Sequence, residues 1–278
     1  VLPRLGAHAA VEHVYCIGPT SLALPELFRD TVLPHVSFAS CPPFRVLFRP
    51  RRPLAELLSR YRPQTVFVPV ERCVVYAAAP VVSMVQNMGP LIPTQWENPW
   101  RERVRYAGQR MEARRAAYAA DHVIAPTAFV KEFLVRVWGV PEDHVSVLHY
   151  GASMPTDANA PRAPSAIPAP WRSSFVFTAG SIEPYRGLED ILEAVAIAHR
   201  NAAQLKLVIA GISRPSMRSY HHRLQRWVTQ HGLDASVRWV GHLTAQEMAW
   251  CYLSCNAFVM TSRVETFAII GAEALEEG

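Results

Sequence analysis

In the second half of the chain the apolar positions alternate between two periods. Residues 174–179 (SFVFTA), 205–210 (LKLVIA), 237–240 and 256–261 (NAFVMT) are short apolar runs of strand type. Between them apolar residues recur one helical turn apart: Leu188, Ile191, Leu192 and Val195 within 188–200, then Tyr220, Leu224, Trp227 and Val228 within 217–231. Gly232 stops the second of these helices. Thr244 opens a third, and Glu247 three residues on completes a capping box. Glu265 leads into a last helical segment. Strands alternating with helices predict a parallel sheet covered on both faces.

The first half repeats the scheme less cleanly. Strands are predicted over 12–17, 65–70, 81–86, 122–125 and 144–149. A helix is predicted over 127–138, with Phe129, Phe133 and Val137 in step and Gly139 and Pro141 ending it. Between the halves, 155–171 (PTDANAPRAPSAIPAPW) holds five prolines and no apolar period. Proline lacks the donor that helices and sheets need, so this stretch reads as an extended linker. The division is 1–154, then the linker 155–171, then 172–278, and both halves read as open α/β sheets. The chain opens inside an apparent helix and stops just after another begins. We therefore expect a fragment, with elements missing at both ends.

Composition narrows the picture. The 278 residues, half of them hydrophobic, suffice for two domains of about 100–150 residues each. No apolar run approaches the roughly 18–20 residues of a membrane span, and no signal peptide is visible. The net charge is +5, and of 28 basic residues only Lys131 and Lys206 are lysines. That balance attracts anions without choosing among them. Five cysteines are an odd number, and Cys251 and Cys255 are four apart, a spacing that suits neither a zinc knuckle nor a redox pair. With Met248 and Tyr252 they form one helical stripe, which reads as core. A reducing cytoplasm fits.

The segment 261–273 (TSRVETFAIIGAE) is where chemistry concentrates. Glu265 and Glu273 are eight apart, after a strand and at the start of a helix. Such a turn, at the carboxyl edge of a parallel sheet, faces the ligand crevice. The amides of Thr266, Phe267 and Ala268 would point at it and receive anionic or hydroxyl oxygens. Glu273, two turns along, could accept both hydroxyls of a ribose. In isolation the pair also reads as acids on the solvent face of an amphipathic helix.

The surrounding blocks make the resemblance specific. FVFTAGSIEPYRGLEDILEAV, LKLVIAG, VRWVGHLTAQEMAWCYLSCNAFVMTS and ETFAIIGAEAL match in order and spacing the donor domain of glycosyltransferase family 4, which has the GT-B fold: two Rossmann-like domains facing across a cleft. In the first half AADHVIAPTAFVKEFL, HVSVLHYGAS, RPQTVFVPV and VVSMVQNMGPL resemble further blocks of that family. The family carries an arginine and then a lysine on the nucleotide diphosphate; here Ser181 and Arg186 stand at those positions. The resemblance implies that the backbone of His242 and Leu243 borders the nucleobase, that Glu265 lies near the donor sugar and that Glu273 holds the ribose. Gln86 stands where many members place a histidine near the sugar, with Asn87 beside it, and Ala268 where the family often has glycine.

No D-x-D motif is present, so a metal-free site is expected, with Arg186 and helix N-termini stabilising the departing diphosphate. Arg186 and Glu265 are the expected catalytic pair, Glu265 as a donor-orienting group. No cofactor is expected. The family implies retention of anomeric configuration, with a sugar moving from a nucleoside diphosphate to a glycan or lipid-linked acceptor. A sugar-nucleotide epimerase of the same architecture, or a non-catalytic nucleotide-sugar-binding module, is the rival reading. A donor-only assay distinguishes the first from a transferase, and binding without turnover the second.

A second constellation spans 96–118: Arg101, Arg103, Arg105, Arg110, Arg114 and Arg115, with Trp96, Trp100, Val104, Met111 and Tyr118 among them. A basic helix with aromatic edges suits an anionic membrane surface, here the inner face of the cytoplasmic membrane. The plainer reading turns Val104, Met111 and Tyr118 into the core. No nucleic-acid-binding module is recognisable.

Overall fold

A computed structural model describes residues 2–29, 31–42, 52–92, 98–151, 160–172 and 174–277. The first half contributes β1 (Val14–Pro19) paired in parallel with β2 (Val36–Cys41), and a four-stranded parallel sheet in the order β3 (Val66–Val68), β4 (Val81–Met84), β5 (His122–Ala125) and β6 (Val145–Val147). Helices in this half are α1 (Leu2–Gly6), α2 (Leu24–Leu27), α3 (Arg52–Tyr61), α4 (Trp100–Ala119) and α5 (Ala128–Glu132). The helix expected over 127–138 is α5 followed by a π-turn, Phe133–Val137, and Thr127 caps it by accepting from the Val130 amide at 3.3 Å.

The second half is one sheet in the order β10-β7-β8-β9, all parallel: β7 is Val176–Ala179, β8 Leu207–Ala210, β9 Val237–Gly241 and β10 Ala257–Phe258. The helices α6 (Leu188–Arg200), α7 (Arg218–Gln230), α8 (Ala245–Ser254) and α9 (Ile269–Glu277) follow the strands in turn. Alternation along β8 divides the core: Leu207 and Ile209 pack with α6 and α7, Val208 and Ala210 with α8 and α9. The capping box at Thr244 is present in both directions. Both halves are thus parallel α/β sheets.

Three expectations change. The strand expected over 256–261 is only two residues long, because the chain turns after Phe258 to run beside Arg186: the Thr261 hydroxyl donates to the Arg186 carbonyl at 3.0 Å. The described part of the linker, from 160 on, is docked: Ile167 and Trp171 are buried against Phe175, Phe177 and Tyr252, and the Arg162 amide donates to the Gln246 carbonyl at 3.1 Å. Proline removes donors but does not stop apolar neighbours from packing. Finally α4 buries the opposite face from the one its large apolar residues predict. Tyr106, Ala113, Ala116 and Ala117 face inward, while Trp100, Val104, Met111 and Tyr118 are exposed. Alanines, Tyr106 and two glutamates fill the buried face, and the other bulky apolar residues are left outside. Trp96 lies outside the described residues, as do 155–159 of the linker.

Of the helical stripe's two cysteines, Cys251 is buried and Cys255 half-buried. Cys41, Cys73 and Cys251 are buried, and all five are free thiols. Burial, with the nearby Cys255 and Glu247, pushes the Cys251 thiol up to about 12.

Candidate functional site

The strand order sets the position of a crevice. β7 is flanked by β8 on one side and β10 on the other. Loops leaving the carboxyl ends of β7 and β10 therefore diverge, and ligands of open α/β sheets bind at such switch points. A small crevice lies there, lined by Gly180, Ser181, Arg186, Met260, Thr261 and Ser262 among others. Its walls depend on two glycines. Gly187, at φ +61°, lets the first loop back onto the Thr261 carbonyl, which an added Cβ would meet at 2.3 Å. Gly211, at φ +144°, rests on the backbone of Gly180, where a Cβ would stand 1.8 Å from the carbonyl oxygen.

Arg186 is the charged group of this crevice. Its guanidinium donates to the Glu265 carboxylate and, at 3.3 Å, to the Ser262 hydroxyl. The two charges are largely withdrawn from water, with side chains 17% and 26% exposed. The Nε of Arg186 is buried without a partner, so the fork keeps a donor in reserve. The Tyr185 ring lies 5.1 Å from the guanidinium carbon, and its hydroxyl is 3.4 Å from the Ser181 oxygen. Ser181 and Arg186 thus line one crevice, and Glu265 joins them through Arg186.

The other assigned residues lie around it. Ala268 stands just ahead of α9 in a left-handed conformation, φ +58°, the conformation for which glycine is the easy residue. Thr266 bridges to the first half: its hydroxyl accepts from the Met88 amide at 2.8 Å, and its carbonyl accepts from the Thr127 hydroxyl at 3.1 Å. The Phe267 ring packs against Tyr150 and His149. The Thr266 hydroxyl and carbonyl and the Phe267 ring therefore serve the junction between the halves, and the amides of the two residues are what could face a ligand. Glu273 lies on α9 and accepts from the buried Tyr252 hydroxyl at 3.3 Å. Burial raises the Glu273 carboxyl above its ordinary range, against the lowering effect of that hydrogen bond. After β9, His242 is exposed and Leu243 is buried.

Across the junction, Gln86 and Asn87 are exposed and follow β4. Their amides both donate to the Glu71 carboxylate, that of Asn87 at 2.7 Å. The Asn87 side-chain oxygen accepts from the Gly89 amide at 2.9 Å. A Cβ on Gly89 would meet the Tyr185 ring at 3.7 Å, so this loop sits against the diphosphate-loop candidate of the second half. Tyr185 and Glu71 carry no spacing signal that sequence reasoning could have used, while Tyr252 was placed by its helical spacing as core and not as a partner of Glu273.

The second half of the chain, residues 162–278, matches the glycosyl transferases group 1 family, and residues 7–154 match Glycosyltransferase Family 4. Among curated proteins it is similar to D-inositol 3-phosphate glycosyltransferase 1 of Catenulispora acidiphila, 28% identical over 166 residues; the match takes in 56% of this chain and 39% of that protein. This chain therefore matches well under half the length of that relative. Two solved structures share the fold. HepE of Anabaena, in complex with UDP and glucose, gives a TM-score of 0.58 at 19% identity over 91% of this chain and 68% of its own. Sucrose-phosphate synthase of Thermosynechococcus elongatus gives 0.60 at 17% over 88% and 64%. Sheet order, crevice and both family matches agree, and this chain belongs to glycosyltransferase family 4, the group 1 glycosyl transferases.

Proposed function

We propose that the protein transfers a sugar, with retention and without a metal ion, from a nucleoside-diphosphate sugar to a glycan or lipid-linked acceptor. The observation that carries this reading is Arg186, set in the switch-point crevice with a spare donor and one carboxylate partner. The diphosphate enters by exchange: its oxygens replace Glu265 on the guanidinium fork. Glu265 is then released beside the donor sugar, where it orients a hydroxyl. As the glycosidic bond breaks, charge grows on the diphosphate and Arg186 holds it more tightly than in the ground state. Glu273 accepts from the ribose. The backbone at 242–243 borders the base. Gln86 and Asn87 offer polar groups from the acceptor side.

A thermal-shift screen of the full-length protein against UDP-, GDP- and ADP-sugars tests donor binding. A transfer assay with and without EDTA then tests turnover. Turnover lost in EDTA and restored by magnesium or manganese contradicts the metal-free reading. Isomerisation of the donor alone favours an epimerase, and binding without turnover a binding module.

An anionic membrane surface is the partner proposed for α4. Trp100, Val104, Met111 and Tyr118 lie along one line of the helix, flanked by the exposed Arg101, Arg103, Arg114 and Arg115. The arginines are therefore not spread evenly round the helix. Arg105 pairs with Glu102, and Arg110 turns back to the carbonyls of Pro90, Leu91 and Ile92. A groove of about 770 Å³ runs beside this line, lined by Val75, Met111, Arg114, Tyr118 and Trp138 among others. No helix among the described residues is long and apolar enough to cross a membrane.

A further inference from the structure

A cluster of charge built on two buried carboxylates, Glu183 and Glu102, with two partly exposed arginines, ties the two halves together. Glu183, 6% exposed, follows Ser181 and Ile182 after β7. Arg214, from the loop after β8, grips it with a two-pronged bond: Nε to Oε1 at 2.9 Å and Nη2 to Oε2 at 2.8 Å. From the other half of the molecule, the Tyr106 hydroxyl of α4 donates to Glu183 Oε2 at 3.0 Å and accepts from Arg214 Nη2 at 2.6 Å. Arg214 also lies 3.6 Å from Glu102, one turn before Tyr106, and Glu102 pairs with Arg105. Burial works to raise the Glu102 carboxyl, but bonds from Arg105 and Ser216 and the charges of Arg105 and Arg214 hold it below its ordinary range. Burial and Glu183 push the Tyr106 hydroxyl up to about 12, so it stays protonated as a donor. Two carboxylates and two guanidiniums balance, and both oxygens of Glu183 are satisfied, as a buried charge requires.

The backbone of Glu183 leads to Arg186. The Glu183 carbonyl accepts from the Arg186 amide at 2.9 Å, closing the turn Pro184–Arg186. A fixed Glu183 therefore fixes the turn that carries the guanidinium.

We propose that Glu183 is a positioning residue, held by Arg214 and Tyr106 so that the order of the 180–187 loop, and hence the placement of Arg186, depends on contact between the two halves. The link to donor binding rests on the reading of that loop as the seat of the diphosphate. Losing the clamp lowers the fraction of molecules with the loop in place, and apparent affinity falls by that fraction.

The test compares Tyr106→Phe and Arg214→Lys with wild type in the full-length protein. Phe keeps the ring, and Lys keeps the charge but not the fork. Hydrogen–deuterium exchange of the 180–187 segment should rise about tenfold in both, the scale of one hydrogen bond to a charged group. Exchange in α7 should stay as in wild type, which separates the clamp from general loss of stability. Calorimetric UDP affinity should fall as far as the fraction of molecules with the loop in place falls, with uridine affinity unchanged. Unchanged exchange at 180–187 in either folded variant overturns the clamp. A fall in the fraction of molecules with the loop in place, with unchanged UDP affinity, keeps the clamp and removes the diphosphate from this loop. Should Arg214→Lys fail to fold, Tyr106→Phe alone decides.

Discussion

Arg186 donates to Glu265 across the mouth of the crevice between β7 and β10. The cation that would hold the diphosphate and the acid that would face the sugar neutralise one another. Neither charge is left to strain the fold, and each is available to a ligand that supplies the opposite sign.

The first prediction follows from that exchange. Glu265→Gln weakens the competitor for Arg186 but keeps an acceptor, so only part of the about 1.5–3 kcal/mol of a hydrogen bond to a charged group is given up. Free UDP should therefore bind more tightly, by a few-fold up to about tenfold. Turnover with the sugar nucleotide should fall in the same variant. Titration calorimetry and a transfer assay on one preparation give both numbers. Weaker UDP binding would place Glu265 on the nucleotide directly.

Glu273 predicts a pH signature. Its carboxyl is raised by burial, so the folded state disfavours the ionised form. The contribution is favourable below the unfolded carboxyl value of about 4.3 and is lost as pH rises through the folded value. Glu273→Gln, which still accepts from Tyr252, should therefore stabilise the protein at pH 7 and give no gain near pH 3.5. UDP binding should weaken in it, as it should for the wild type when acid protonates Glu273. Denaturation at the two pH values tests the first claim; an equal difference at both would refute it.

Ala268 is a site of local strain. A non-glycine residue in the left-handed region costs roughly 1–2 kcal/mol, partly offset by the roughly 0.5–1 kcal/mol that glycine loses in chain freedom. Ala268→Gly should thus be stabilising by up to about 1 kcal/mol, read as a higher urea midpoint at constant slope. A lower midpoint would mean that the Ala268 methyl, 4.0 Å from a Cβ built on Gly271, packs usefully.

The exposed line on α4 should bind vesicles containing phosphatidylserine or phosphatidylglycerol. Binding should weaken with salt, since charges at such a surface are screened within about 10 Å at 0.1 M. Replacing Arg101, Arg114 and Arg115 by Gln should weaken it further; Arg110 is unsuitable, because it holds the carbonyls of 90–92. Equal sedimentation with neutral and anionic vesicles would argue against the surface.

Much of the second half was legible because its signals are local. Leu188–Arg200 emerges with the predicted bounds, and the Thr244–Glu247 box forms as its spacing requires. β2, VSFASC, and α3, where Leu54, Leu57, Leu58 and Tyr61 recur at helical spacing, were not among the predicted elements. The buried face of α4 was misread since it is made of alanines and charged residues whose partners lie far along the chain. Glu183, Tyr106 and Arg214 are separated by 77 and 31 residues. No period connects them, and only the packing of two loops on α4 brings them together.

The placement of the diphosphate against Arg186 is the central claim, and one titration tests it most directly. UDP is titrated into full-length wild type, Arg186→Ala and Arg186→Lys, with turnover measured alongside. Arg186→Ala should weaken UDP by at least about tenfold, the loss of a bond to a charged group, and should lower kcat more than it raises KM. Arg186→Lys should fall between, keeping charge without the fork. Ser181→Arg in the Arg186→Ala background should restore part of the loss by returning a cation to the same loop. Wild-type affinity and turnover in folded Arg186→Ala would contradict the account, because the diphosphate would then lie elsewhere.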